Sequence, residues 1–474
     1  MKNKIYAKHA HLNGALIVVG FGSIGQAALP VILRHLEIQS GQITIISADE
    51  HGQEVAHESG ASFVLRTLTE ENYTEVLARY LNKGDFLLNL SVDVSSVALI
   101  KLCRDRGALY LDTCIEPWSG GYTDTSIGPS LRSNYALREQ ALAFGREKHG
   151  GPTAILGQGA NPGLASAFVK QALLDIAADT GLRVGKLRNP EEWAALAARL
   201  NIKAIHIAER DTQIAVRRKQ YNEFVNTWSV DGFVGEGLQP SELGWGSHER
   251  HWPVEGARHE FGCGAAIYLN RPGAATRVRS WAPLAGSYHG FLITHGESIS
   301  IADHLTLRKN GEVVYRPTVH YAYHPCDDAV LSLHELAGRN WHLQANKRIL
   351  RDEITEGMDE LGVLLMGHAR SAYWYGSRLS IRDARELAPC NNATSLQVVA
   401  GILAGMVWAL QHPNEGVIEP DDIDHEAALA IARPYLGEVA GIYSDWNPLC
   451  DRGWLFDEDL DTEDPWQFKN VRVT

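Results

Sequence analysis

The chain has 474 residues, 45% of them apolar, and domains run to roughly 100–200 residues, so two or three cores are expected. Its formal net charge of −13 excludes the basic face that non-specific nucleic-acid binding needs, and no nucleic-acid partner is expected. Six scattered cysteines (Cys103, Cys114, Cys263, Cys326, Cys390 and Cys450) form no C-x-x-C pair, which points to reduced thiols in a cytoplasmic protein rather than a disulfide scaffold.

Lys2 and Lys4 precede the apolar run Ala15 to Val19. A signal peptide needs about 7–15 apolar residues, so this shorter run is read as a buried strand of a parallel sheet. A helix follows from Ile24 to Leu36, with a kink or early stop expected at Pro30. Strands are predicted at Ile43 to Ile46, Ser62 to Leu65, Asp85 to Leu90 and Ala108 to Asp112. Helices are predicted at Tyr73 to Leu81 and Ser95 to Arg106. Repeated units of this length imply a doubly wound parallel sheet.

Gly150-Gly151-Pro152 marks a boundary. Thr153 to Gly157, the loop Gly159-Ala-Asn-Pro-Gly163 and a helix from Leu164 to Leu174 come next. Ala204 to Ile207, Phe224 to Val230 and Phe291 to Thr294 have strand character, so a mixed or antiparallel sheet with fewer helices is expected there. A helix is predicted from Asn392 through Leu410. Its apolar core, Val398 to Leu410, is short of the roughly 20 residues a membrane span needs, and no membrane partner is expected. Gly401 and Gly405 would let this helix approach a neighbour closely. The tail after Trp446 reads as irregular and acidic.

The fold class is therefore α/β: an N-terminal Rossmann dinucleotide-binding domain (1–152) and a second α+β domain on a mixed or antiparallel sheet (153–390). A helix then returns to the first domain and a C-terminal tail follows (391–474).

Gly20-Phe-Gly22-Ser23-Ile24-Gly25 fits G-x-G-x-x-G, preceded by a strand and followed by a helix. The first glycine permits the turn, the second admits a pyrophosphate and the third allows close packing. NAD enzymes usually place an acidic residue at the end of the second strand. Here Ser47 stands in that place, with Asp49 two residues on and no arginine nearby to pair with a 2′-phosphate, which favours NAD over NADP. Asn89, Ser91, Asp93 and Thr113 lie at later strand ends, where a dinucleotide binds, although Asn89, Ser91 or Asp93 could instead cap the next helix. Pro162 lacks the donor a phosphate loop would want, so Gly157 to Gly163 is read as presenting Asn161 to the site.

Several stretches resemble the bacterial homospermidine synthases. They include Gly20 to Gly25, Asn89 to Asp93, Leu111 to Trp118, Gly159 to Gly163, His206 to Thr212, Phe224 to Val230 and Glu236 to Pro240. Gly244 to Gly246, Thr294 to Asp303, His320 to Cys326 and Asp464 to Phe468 extend the resemblance over nearly the whole chain. It implies a saccharopine reductase-like fold, a homodimer, bound NAD, and putrescine or spermidine as substrates. The implied reaction oxidises a diamine, condenses the product with a second putrescine and reduces the Schiff base with the same NADH. The resembled enzymes carry an aspartate where this chain has Ser47.

A diamine loses hydration on burial, so its site should offer carboxylates and an aromatic face. Glu116, Glu209, Glu236 and Glu297 lie in the matched segments, with Trp228 as the ring. If extended, Phe224, Asn226, Trp228 and Val230 share a face, as do His295 and Glu297. A carboxylate or His295 would accept the amine proton, and Asn161 would orient nicotinamide and substrate. Metal ligation is not expected: His320, His324 and Cys326 sit in extended chain, and no H-E-x-x-H occurs. The rival enzyme, a saccharopine- or carboxynorspermidine-type dehydrogenase, would need Arg or Lys forks for α-carboxylates.

Overall fold

The computed structural model describes residues 6–147 and 150–473; Lys2 and Lys4 lie outside them. Seven strands form a parallel sheet. Their spatial order is Glu415–Ile418, Gly151–Ile155, Leu109–Asp112, Phe86–Asn89, Leu16–Val19, Ile43–Ser47 and Ser62–Leu65. The three central strands are buried along their whole length because helices cover both faces, which is why their sequences run apolar without alternation. Residue 152, the expected boundary, falls inside the strand Gly151–Ile155, and Glu415–Ile418 joins the same sheet from the far end of the chain.

The helix after the glycine loop spans Ser23–His35 and runs straight through Pro30 instead of stopping there. Leu29, Val31 and Ile32 are fully buried around the proline, and that packing outweighs one lost hydrogen bond.

The second unit is built on an eleven-stranded mixed sheet. Its centre is Ala204–Asp211, parallel to Thr318–His324 on one side and antiparallel to Met358–His368 on the other. This region is more helical than expected: Pro190–Arg199, Val230–Leu238, Gly296–His304 and Asp327–Gly338 are all helices. Two expected strands change shape. Phe224 to Val230 is a strand only over Glu223–Asn226; Ser229 then accepts a hydrogen bond from the Gly232 N–H and caps a helix starting at Val230. Of Phe291 to Thr294, only Phe291 stays in a strand; the rest is a buried connection whose apolar side chains pack without a ladder.

The returning helix spans Ala393–Gln411, with Asn392 and Ser395 forming a reciprocal cap at its start. It packs against Ser23–His35 and lies directly on the Gly157 to Gly163 loop. A Cβ at Gly401 would sit 1.9 Å from the Gly159 carbonyl oxygen, and one at Gly405 would press on Leu111 and Gln158. Glycine is required at both places for the helix to reach that backbone. The helix is long and apolar enough to cross a membrane, but it is almost wholly buried inside the fold. The tail after Trp446 is mostly irregular and closes with a short strand, Arg472–Val473, on Arg277–Ala282.

Candidate active site

A cleft of about 880 Å³ opens at the carboxyl ends of the parallel strands. Gly20, Gly22, Ser23, Ile24, Ser47, Asp49, Ser91 and Asp93 line one wall; Ser229, Val230, Lys347 and Arg351 line the other. The three glycines divide their work. Gly20 has φ +82°, and a Cβ there would meet the Ser91 backbone at 2.6 Å. Gly22 faces open space, so nothing stands between its backbone and a ligand. Gly25 does not line the cleft; a Cβ there would strike the Phe21 ring at 2.9 Å, so its role is packing. The helix that starts at Ser23 has no side-chain cap and no acid in its first turn, leaving its N–H groups and dipole for an anion.

Four expected cofactor contacts sit elsewhere. Asn89 is buried below the cleft, where its side chain accepts from the Ser91 hydroxyl at 2.6 Å. It therefore positions Ser91. Ser95, not Ser91 or Asp93, caps the next helix, which leaves both of those on the cleft wall. Thr113 packs against Gly159, outside the cleft. Pro162 lines a small cavity beside Cys114 and Glu297, and Asn161 is turned toward the second sheet. The peptide between them is cis.

Next to the cleft, acidic side chains gather into a buried cluster, the acidic chamber. Trp228 immediately precedes the cleft-lining Ser229, and Glu116 stands two residues before the cleft-lining Trp118. Glu209 and Asp211 point to one face of their strand, and the neighbouring registers add Tyr321, Tyr323 and Asp359 to the same face. The Asn161 amide donates to Glu209 at 2.8 Å, and the Tyr321 hydroxyl donates to the same carboxylate oxygen. Trp228 donates its indole N–H to the Tyr323 hydroxyl at 3.3 Å, and Tyr323 stacks on Tyr321.

His295 closes the chamber. It is the N-cap residue of the helix Gly296–His304, so it and Glu297 meet across the first turn rather than along a strand. Its Nδ1 lies 3.2 Å from Glu297 and its Nε2 3.0 Å from Glu236. Glu236 comes from the helix Val230–Leu238 and also accepts from the Cys114 thiol at 3.6 Å.

These contacts fix protonation. Burial disfavours the charged ring of His295, but the charges of Glu236 and Glu297 outweigh it and hold the imidazole well above its ordinary range. The two carboxylates thus favour the charged ring of His295, and of the two proton acceptors that the sequence offered, a carboxylate or His295, the geometry favours the carboxylate. Burial pushes Glu209 up to about 7, against the hydrogen bonds from Tyr321 and Asn161. Burial and then the charge of Glu236 push Glu116 well above the carboxylate range. Burial likewise raises Asp211 to about 6, against hydrogen bonds from Gln213 and Thr227, and burial with the charges of Glu209 and Asp211 holds Asp359 well above the usual carboxylate range. Glu209 is the group poised to exchange a proton near neutral pH.

Sequence reasoning singled out Trp228, Glu209, Glu236, Glu116, His295, Glu297 and Asn161, and all seven meet here or on its border. It passed over Tyr321 and Tyr323, which the two-residue alternation of Thr318–His324 puts on one face, and Cys114, Asp211 and Asp359. It also passed over Arg66, which stands in the cleft beside Ser47 because the strand ending at Leu65 pairs with the one ending at Ser47. The expectation that no arginine lies near that position is thereby corrected. Among the described residues, no group of three or more His, Cys, Asp or Glu is arranged to hold a metal ion.

Residues 16–155 match the saccharopine dehydrogenase NADP binding domain and residues 159–443 the saccharopine dehydrogenase C-terminal domain. The chain belongs to the saccharopine dehydrogenase family. It is 54% identical over 467 residues to the homospermidine synthase of Blastochloris viridis, covering 98% of each chain. It is 48% identical over 480 residues to that of Mesorhizobium japonicum, covering 100% of this chain and 99% of the relative. The crystal structure of the Legionella pneumophila homospermidine synthase in complex with NAD superposes with a TM-score of 0.91 at 49% identity, covering 98% of both chains. Within the wider family, the chain belongs with the homospermidine synthases.

Proposed function

We propose that the chain makes homospermidine from two putrescines, or from spermidine and putrescine, using NAD as a regenerated carrier of reducing equivalents. Ammonia leaves in the first case and 1,3-diaminopropane in the second. The observation that carries this reading is Glu209, a buried carboxyl at about 7, held by Asn161 and Tyr321 inside an acid-lined chamber beside the dinucleotide cleft.

NAD, when bound, takes a hydride from the amine-bearing carbon and later returns one to the product imine. Gly20, Gly22, Ser23, Ile24, Ser91 and Asp93 are the residues that would hold it. The rest falls to the chamber. Glu209 removes a proton from the substrate ammonium, which frees the nitrogen lone pair that must drive hydride departure. The second amine adds to the iminium carbon and passes its extra proton to the first nitrogen, which leaves as a neutral amine and departs as ammonium with the proton that Glu209 holds. Glu236 and Glu297 offset the charge of the bound dication, with His295 fixing their positions. The Trp228 face attracts the cationic iminium, a contact worth about 0.5–2 kcal/mol.

The dehydrogenase rival needs a cationic fork for an α-carboxylate. Arg138, which lines the small cavity beside Glu297, is already taken by Glu139, Asp303 and Glu419. On the same resemblance we propose a cytoplasmic homodimer. The test of function is incubation with putrescine and NAD at far below substrate concentration, followed by mass spectrometry. Homospermidine and ammonia in excess of NAD are expected; product limited to the NAD supplied would favour the dehydrogenase.

A further inference from the structure

We propose that the small cavity behind Glu297 is a holding site for ammonia, the leaving group of the reaction between two putrescines, and that it draws this molecule off the reacting carbon. The inference rests on the proposed function and adds a separate compartment to it.

The cavity measures about 30 Å³. A water molecule takes up about 30 Å³ of its liquid, so there is room for one molecule of that size and none for a diamine. Its walls are the backs of residues that serve the chamber. Cys114 lines it and donates its thiol hydrogen to Glu236 at 3.6 Å. Pro162 lines it and follows Asn161, which holds Glu209. Glu297 belongs to both spaces. Its Oε1 lies 3.2 Å from His295 in the chamber, whereas its Oε2 is buried and bonded to nothing among the described residues.

A second buried polar atom on this wall is free in the same way. The side-chain oxygen of Asn134 accepts from the Tyr122 hydroxyl at 3.1 Å, and its Nδ2 has no partner among the described residues. The other polar side chains are spoken for: Arg138 is held by Glu139, Asp303 and Glu419, and the Ser300 hydroxyl is bonded to Asp421. The cavity thus offers one free donor and one free acceptor, and its occupant must accept from the first and donate to the second. A metal cation has no use for the Asn134 donor, and an anion is repelled by Glu297. Ammonia and water share the required chemistry and size, and the reaction supplies ammonia.

The leaving nitrogen parts from carbon as neutral ammonia, with its lone pair still beside an electrophilic carbon. Left there, it adds again and reverses the step. In the cavity the lone pair accepts from Asn134 and an N–H donates to Glu297, so re-addition is suppressed. The transfer makes and breaks no covalent bond, and the proton for departure still comes from Glu209. The leaving group from spermidine, 1,3-diaminopropane, is far too large to enter.

The experiment uses the full-length protein with NAD and reads the two leaving groups separately: ammonia from putrescine alone, and 1,3-diaminopropane from spermidine with putrescine. Asn134→Leu removes the free donor, and Ser300→Thr adds a methyl group at the cavity wall while keeping a hydroxyl for Asp421. Ammonia-releasing turnover is expected to fall about fivefold, the worth of one hydrogen bond, while diaminopropane-releasing turnover stays within about twofold. Thermal melting and NADH fluorescence check that each variant is folded; if Asn134→Leu is not, Ser300→Thr decides. Equal losses with both donors, or no loss with either, would overturn the proposal and leave the cavity to a bound water. A native protein that makes no homospermidine from either donor would overturn the proposed function, and this inference with it.

Discussion

The two halves of the site are made differently. The dinucleotide cleft is a backbone device: a glycine turn, open space at Gly22 and the free N–H groups of one helix, all within residues 16–35. The acidic chamber is a side-chain device, whose parts arrive from residues 116, 161, 209, 228, 236, 295, 297 and 321 and converge on one face of the second sheet. A local device tolerates change in its side chains, because its chemistry lies in the main chain. A convergent one depends on each member's length, charge and partner, and single substitutions should therefore hurt chemistry without loosening the cofactor.

The largest effect should come from Glu209→Gln. The amide keeps the shape and can still accept from Asn161 and Tyr321, but it takes no proton. Turnover is expected to fall about 10²–10⁴-fold while NADH binding, followed by fluorescence, holds. Parallel loss of binding would erase the distinction between the halves. Gly401→Ala probes the seam between them. With the new methyl 1.9 Å from a backbone oxygen, the helix must shift, and thermal unfolding should show a loss of about 1–3 kcal/mol. An unchanged melting temperature would mean that the seam is loose. Trp228→Ala should cut kcat about 2–30-fold, the equivalent of one cation–π contact, with Trp228→Phe recovering part of it. Equal losses in both variants would assign the residue to packing instead.

The smallest effect is one of pH. Glu209 works as a base only when ionised, and burial raises its carboxyl to about 7, so the ionised fraction rises with pH through that value. The activity profile should climb through about pH 7, falling roughly tenfold per unit below it. In Glu209→Gln that limb should vanish. A limb that stays in the variant would belong to another group, with Asp211, at about 6, the neighbour to examine.

This division also explains what could be read from the chain. The parallel sheet was legible because buried strands carry unbroken apolar runs, and the returning helix because Val398 to Leu410 is a continuous apolar stretch too long for a strand. Trp228 and His295 were legible as site residues, but not their local structure. Trp228 lies in a bend between the strand Glu223–Asn226 and the helix that starts at Val230, His295 is the last residue before the helix that starts at Gly296, and a short alternating pattern cannot show where the alternation stops. The protonation of His295 was hidden because Glu236 lies 59 positions away in sequence. Arg66 was hidden for the same reason: only strand pairing brings it beside Ser47.

The measurement closest to the central claim follows the hydrogen that is borrowed. Putrescine carrying deuterium on both carbons next to nitrogen would be turned over by the protein loaded with NAD, in the presence of added unlabelled NADH, and the homospermidine weighed by mass spectrometry. Return of the same reducing equivalent within one closed site predicts product that keeps its full deuterium content. Product with one deuterium replaced by hydrogen in each molecule would show that the reduction draws on outside cofactor, and would contradict the account.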